Sequence, residues 1–170
     1  MKLAGNEFAG DLNATPPVVS RTDAFWVVIV LVSGPVNSSD ASTGHLDGYC
    51  PSTEWLNPFC RAPLFTTRHS NGDPNYDSED FARDMSDFVA DPTNGQGAAI
   101  FTIGLGNQIK NGSTANGADP AIADKLLDYM AKTAGGTTAN HGTYSYAPTT
   151  SDLNAIFAAI AKNIFTKLSK

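Results

Sequence analysis

Two apolar tracts that each run straight into glycine constrain this chain more than any other feature. Ala24-Phe-Trp-Val-Val-Ile-Val-Leu-Val32 leads into Ser33-Gly34, and Ala98-Ala-Ile-Phe-Thr-Ile103 leads into Gly104-Leu-Gly106. Neither tract alternates apolar and polar residues, as a half-exposed strand does. Continuous Val, Ile and Phe runs of this kind are the pattern of parallel strands covered on both faces by helices. In open α/β sheets ligands bind in the crevice beyond the carboxyl ends of such strands. Ser33, Gly34, Gly104 and Gly106 are therefore the first candidate binding loops.

The rest of the chain supplies helices between and after these strands. A helix is expected from Asp77-Ser78, with Phe81, Met85, Phe88 and Val89 at helical spacing and Glu79 and Asp80 in a first turn that favours negative charge. Asp119-Pro120 reads as a cap with proline at the first helical position. Ile122, Leu126, Leu127 and Met130 then form a buried stripe that ends at Gly135-Gly136. Thr143 to Tyr146 reads as a short strand. The last helix carries Leu153, Ile156, Phe157, Ile160, Ile164, Phe165 and Leu168 along one expected apolar face. Leu3 to Phe8 fits the tail of an amphipathic helix, and Asn13 to Ser20, with Pro16-Pro17, a turn. Helices alternating with strands predict an α/β fold, a doubly wound (Rossmann-like) parallel sheet with helices on both faces.

Composition narrows the function. With 170 residues and 41% hydrophobic content, one core and one domain are expected, spanning residues 1–170. A net charge of −6 with scattered Lys and Arg lacks the basic stripe that displaces counterions from nucleic acid. The apolar tracts fall well short of the roughly 20 residues needed to span a bilayer. The amino terminus has no signal-peptide pattern.

Residues 34–76 form a long loop insertion rich in Ser, Pro, Gly, Asn and Asp, and loops of that length are usually functional or disordered. It holds both cysteines, Cys50 and Cys60. A disulfide in an oxidising compartment leads the readings, two free thiols and a zinc site with His45 and His69 being the alternatives. Asn71, Asp73, Asn75, Asp77 and Glu79 alternate so as to gather oxygens, which makes Asp73, Asn75 and Asp77 weak calcium candidates. The tract lacks the glycine and distal Glu of an EF-hand and reads first as a solvated, helix-capping loop. The Asn-x-Ser/Thr triplets at Asn13, Asn37 and Asn111 fit exposed loops of a secreted protein.

Several of these pieces, taken in order, resemble the second half of a von Willebrand factor A domain. They are Asp23 to Gly34, Gly97 to Gly106, Leu126 to Gly136, Tyr144 to Ala147 and Leu153 to Phe157. The likeness is greatest to bacterial surface proteins and Tad-type pilus assembly proteins. The resemblance implies a sheet of order 3-2-1-4-5-6, of which this chain would supply strands 4, 5 and 6, an incomplete domain. It also implies a metal-dependent adhesion site built from an Asp-x-Ser-x-Ser loop, a middle-loop Thr and an Asp at the end of strand 4. No Asp-x-Ser-x-Ser tract precedes Phe25, and the family's Asp falls at Ser33. The site is therefore expected to be degenerate at Ser33 and Gly34, with Mg or Ca held only if a missing amino-terminal half is supplied.

These readings lead to a non-enzymatic cell-surface protein-interaction domain located outside the cytoplasm, with a protein partner or self-association. The alternative is a structural half-domain that completes a sheet with another chain or a homo-oligomer, because strand 4 would expose an apolar edge at Phe25 to Leu31. Catalytic readings are weak. Ser33 lacks a Gly-x-Ser-x-Gly elbow and a neighbouring His. Gly104-Leu-Gly106 lacks the third glycine of a dinucleotide fingerprint.

Overall fold

A computed structural model describes residues 10–11, 18–19, 24–34, 78–93, 95–112 and 121–169. Within them the chain is α/β. Strands β1 (Gly10–Asp11) and β2 (Val18–Val19) form a small antiparallel pair, β2 falling within the Asn13 to Ser20 stretch read as a turn. The main sheet holds β3 (Val27–Val32), β4 (Ala99–Leu105) and β5 (Tyr144–Ala147), in the order β3-β4-β5 and all parallel. Helix α1 (Ser78–Ala90) links β3 to β4, α2 (Ile122–Lys132) links β4 to β5, and α3 (Leu153–Leu168) follows β5.

The register assigns side chains to the two faces. Val27, Ile29 and Leu31 lie beside Ala99, Phe101 and Ile103, while Val28, Val30 and Val32 lie beside Ile100, Thr102 and Gly104. The second set packs under α1 and α2 with Met85, Phe88, Val89, Leu126, Leu127 and Met130. On the first face Ala99, Phe101 and Ile103 pack with Ala147 and with Ile160 of α3. Helices thus cover the sheet from both sides, and β4 is buried along Ala99 to Gly104.

Three polar ties fix the helices. Buried Thr102 donates from Oγ1 to the Leu127 carbonyl at 2.8 Å, which joins β4 to α2. Asp87 of α1 accepts from Tyr129 Oη at 2.9 Å and from the Gly135 N–H at 3.1 Å, joining α1 to the end of α2. The Arg83 guanidinium lies 4.5 Å from the Tyr129 ring centroid, a cation–π contact. Gly135 (φ 79°) suits its site twice over, because a Cβ there would come within 2.6 Å of the Ala90 carbonyl carbon.

Three expectations need correction. Burial on both faces holds for β4 but not for β3, where Ile29 and Leu31 are 45% and 49% exposed. The reason is position: β3 is an edge strand among the described residues, and α3 sits over β4 and β5. The single apolar face expected for the last helix also splits. Ile160 is buried and Leu153, Ile156 and Ile164 are half-buried, but Phe157, Phe165 and Leu168 are exposed. Helix α2 starts at Ile122 with Ala121 at its cap, not at Pro120, and Asp119 and Pro120 lie outside the described residues.

Close approach at the start of β5 yields a stability prediction. A Cβ on Gly142 would stand 2.1 Å from the Ile100 carbonyl oxygen, a backbone atom that has no freedom to move aside. Gly142→Ala is expected to cost about 3 kcal/mol or more in denaturant unfolding. Gly136→Ala, where φ is 74° and the space is open, should cost about 1–2 kcal/mol. Equal costs would contradict the β4–β5 packing described.

Candidate functional site

The carboxyl end of the sheet gathers the four strand-exit residues. Val32 is in register with Gly104, so Ser33 and Gly34 leave β3 alongside Leu105 and Gly106 leaving β4. Ser33 is exposed. Gly104 is buried and serves packing, since a Cβ there would meet Ile109 Cγ2 at 2.7 Å and Tyr144 Oη at 3.1 Å. Gly106 faces open space and adopts φ 80°, and its N–H donates to the Ala147 carbonyl at 2.8 Å. It starts a single 3-10 turn, Asn107–Ile109, rather than a long helix. A loop of this shape has no extended helix terminus to aim at a phosphate.

A polar cluster that the sequence reading missed stands beside this end. Asp124 of α2 is the hub. It pairs with Lys110 Nζ at 2.8 Å and accepts a hydrogen bond from Tyr144 Oη. Lys110 Nζ also lies 5.8 Å from the Tyr144 ring centroid and 5.1 Å from that of Tyr146. Tyr146, which lies beside Gly104 in the register, reaches Asn107 Oδ1 from its hydroxyl at 3.5 Å. The loop after β4 is thereby tied to α2 and β5. One sequence signal was available, the Tyr144-x-Tyr146 spacing that puts both rings on one face of a strand. Lys110 and Asp124 come from other elements, and no local pattern joins them.

The electrostatics of the cluster follow from burial and from the bonds around Asp124. Partial burial alone would raise the Asp124 pKa, but the hydrogen bonds from Lys110 and Tyr144 and the nearby lysine charges outweigh it and hold the carboxyl below its ordinary value. The Tyr144 pKa is pushed well above the usual tyrosine value, first by burial and then by its bond to the Asp124 carboxylate. Burial and Asp87 raise Tyr129 in the same way. The carboxylate is thus ionised and engaged, and the phenol is held neutral as a donor.

Among the described residues no group of three or more His, Cys, Asp or Glu could hold a metal ion. Ser33 offers a neutral oxygen where a dication favours carboxylates. Cys50, Cys60, Asp73, Asn75 and Asp77, and nearly all of the 34–76 loop, lie outside the described residues. Among the described residues no helix is long and apolar enough to cross a membrane. No protein-family model, curated protein or solved structure matches the chain.

The pKa directions predict how stability varies with pH. Asp124 has a lowered folded-state pKa, so its contribution is present above the usual carboxylate pKa, near 4, and is lost as pH falls through the folded value. Tyr144 has a raised one, so its contribution is present below pH about 10 and is lost as pH rises through the folded value. Chemical denaturation across pH should show both limbs. Tyr144→Phe should remove part of the alkaline limb, and Tyr129→Phe a further part. An alkaline limb unchanged in both variants would contradict the assignment.

Proposed function

We propose that this chain is a non-enzymatic protein-interaction domain of von Willebrand factor A type, working outside the cytoplasm at a cell surface and docking through the open edge of β3. The observation that carries this reading is the exposure of Ile29 and Leu31, 45% and 49%, on a strand with no partner on its outer side among the described residues. Edge strands in stable proteins are usually protected by charge, proline or a covering element. Val27–Val32 contains only Val, Ile and Leu.

The parallel order β3-β4-β5 is the order of strands 4, 5 and 6 in the family that the sequence resembles. Sheet completion, with a partner strand added to β3, is the mode this edge favours. Backbone hydrogen bonds would then supply affinity and the bare side chains specificity. Metal-dependent adhesion has little support at the strand exits, where Ser33 stands in place of a carboxylate. Mg or Ca would require ligands from another segment.

A peptide test separates the two surfaces. A lysine-flanked peptide carrying Val27–Val32 should bind the full chain at low protein concentration, as read by fluorescence anisotropy. Leu31→Lys should weaken that binding about tenfold or more, a loss of about 1.4 kcal/mol. Ser33→Ala and added EDTA should leave it unchanged. Dependence on Ser33 and divalent metal but not on Leu31 would move the docking surface to the carboxyl end of the sheet.

A further inference from the structure

The hydrogen-bonding direction of β3 allows the docking reading to be taken one step further, to the identity of the partner. The Ala99 N–H donates to the Trp26 carbonyl at 2.9 Å. Backbone groups alternate sides along a strand, so residues 26, 28, 30 and 32 turn their N–H and C=O toward β4. Val27, Ile29 and Leu31 turn theirs outward. The same three residues place their side chains on the α3 face, and two of them are the exposed Ile29 and Leu31.

We infer that a second copy of this chain occupies the edge: two β3 strands pair antiparallel about a two-fold axis perpendicular to the sheet, Ile29 of each opposite Leu31 of the other. This inference rests on the reading of β3 as the docking edge. The strand is complementary to itself in that arrangement. Its two bare side chains are two residues apart on one face, so the antiparallel copy sets each against the other twice and the contact closes as an isologous dimer.

The alternatives fit less well. A one-residue slip turns every opposing side chain to the wrong face. A two-residue slip toward the amino end leaves Leu31 opposite half-buried Val27, and a slip the other way sets Ile29 against Ser33. A parallel copy related by a two-fold along the strands would put its own α3 on the opposite face, away from the bare residues. Parallel pairing by translation would not close. No charge, proline or glycine within Val27–Val32 opposes the pairing.

On the face that carries Ile29 and Leu31, α3 leaves room for it. Helix α3 packs over β4 and β5. In the six-stranded sheet the two β4 strands would lie three strand spacings apart, about 14 Å. Packed helices need about 8–10 Å between axes. The two α3 helices would therefore flank a strip filled by Ile29 and Leu31 of both copies rather than collide over it. Val30 would face Val30 across the axis in a non-hydrogen-bonded pair, with Cα atoms about 4.5 Å apart, within the span of a disulfide.

Sedimentation equilibrium of the full chain at micromolar concentration tests the inference. The expected result is twice the chain mass, with Leu31→Lys reduced to the single-chain mass and an unchanged circular dichroism spectrum. Oxidised Val30→Cys should form a covalent dimer on a non-reducing gel that wild type and Val28→Cys do not. This readout stands even if Leu31→Lys fails to fold. A wild type that stays monomeric, or a dimer that forms in folded Leu31→Lys, would overturn the inference. A monomer that still captures the Val27–Val32 peptide in a Leu31-dependent way would overturn self-pairing alone. A monomer that captures nothing would overturn both readings.

Discussion

Strand β4 is the element on which the rest of the described structure depends. Its backbone is paired on both sides, to β3 and to β5, and its side chains from Ala99 to Gly104 are buried on both faces. Phe101 and Ile103 anchor α3 on one face, while Ile100 and Thr102 meet the α1 and α2 layer on the other. A parallel strand with no polar face requires helices on both sides, and the crossover connections of a parallel sheet supply them. The same demand falls on β3, and on the α3 face it is met at Val27 but not at Ile29 and Leu31. The exposed edge follows from that asymmetry, since among the described residues β3 has one neighbour, β4, and α3 is centred over β4 and β5.

Two surfaces of this small sheet therefore differ in kind. At the carboxyl ends of the strands, side chains are committed to one another: Asp124 to Lys110 and Tyr144, Gly104 to the space needed by Ile109 and Tyr144. Such a cluster commits its charges to holding the loop after β4. At the β3 edge the reverse is true. Backbone donors and acceptors and two large apolar side chains stand without partners among the described residues, in a strand that contains nothing to discourage pairing. Uncommitted hydrogen-bonding groups next to uncovered apolar surface favour association more strongly than an already satisfied polar cluster does.

Much of this architecture was legible in the sequence because it rests on local patterns. The apolar runs ending in glycine identified β3 and β4, and helical spacing identified α1 through Met85, Phe88 and Val89 and α2 through Leu126, Leu127 and Met130. Helix α2 ends earlier than the glycine pair implied, at Lys132 with Thr133 as its cap, and Gly135 and Gly136 follow with positive φ. What the sequence hid is what depends on distant partners. Residue type alone assigns Phe157, Phe165 and Leu168 to the core, yet they are exposed, and among the described residues α3 meets the sheet chiefly through Ile160 with Leu153, Ile156 and Ile164. Likewise Lys110 and Asp124 are ordinary charged residues until α2 brings one to the other, and Asp87 has no visible role until Tyr129 and Gly135 reach it. The small β1–β2 pair carried no signal beyond turn-forming residues.

The central claim is that β3 pairs with β4 through one set of amides and offers the other set to a partner. Residue-resolved amide hydrogen exchange tests it most directly, measured at two protein concentrations on either side of any self-association. At the lower concentration Val28 and Val30 should be slow and Ile29 and Leu31 fast, with the latter pair becoming slow at the higher concentration or on adding the Val27–Val32 peptide. Protection of Ile29 and Leu31 equal to that of Val28 and Val30 at every concentration would contradict the account, because it would mean that the edge is already filled within the chain.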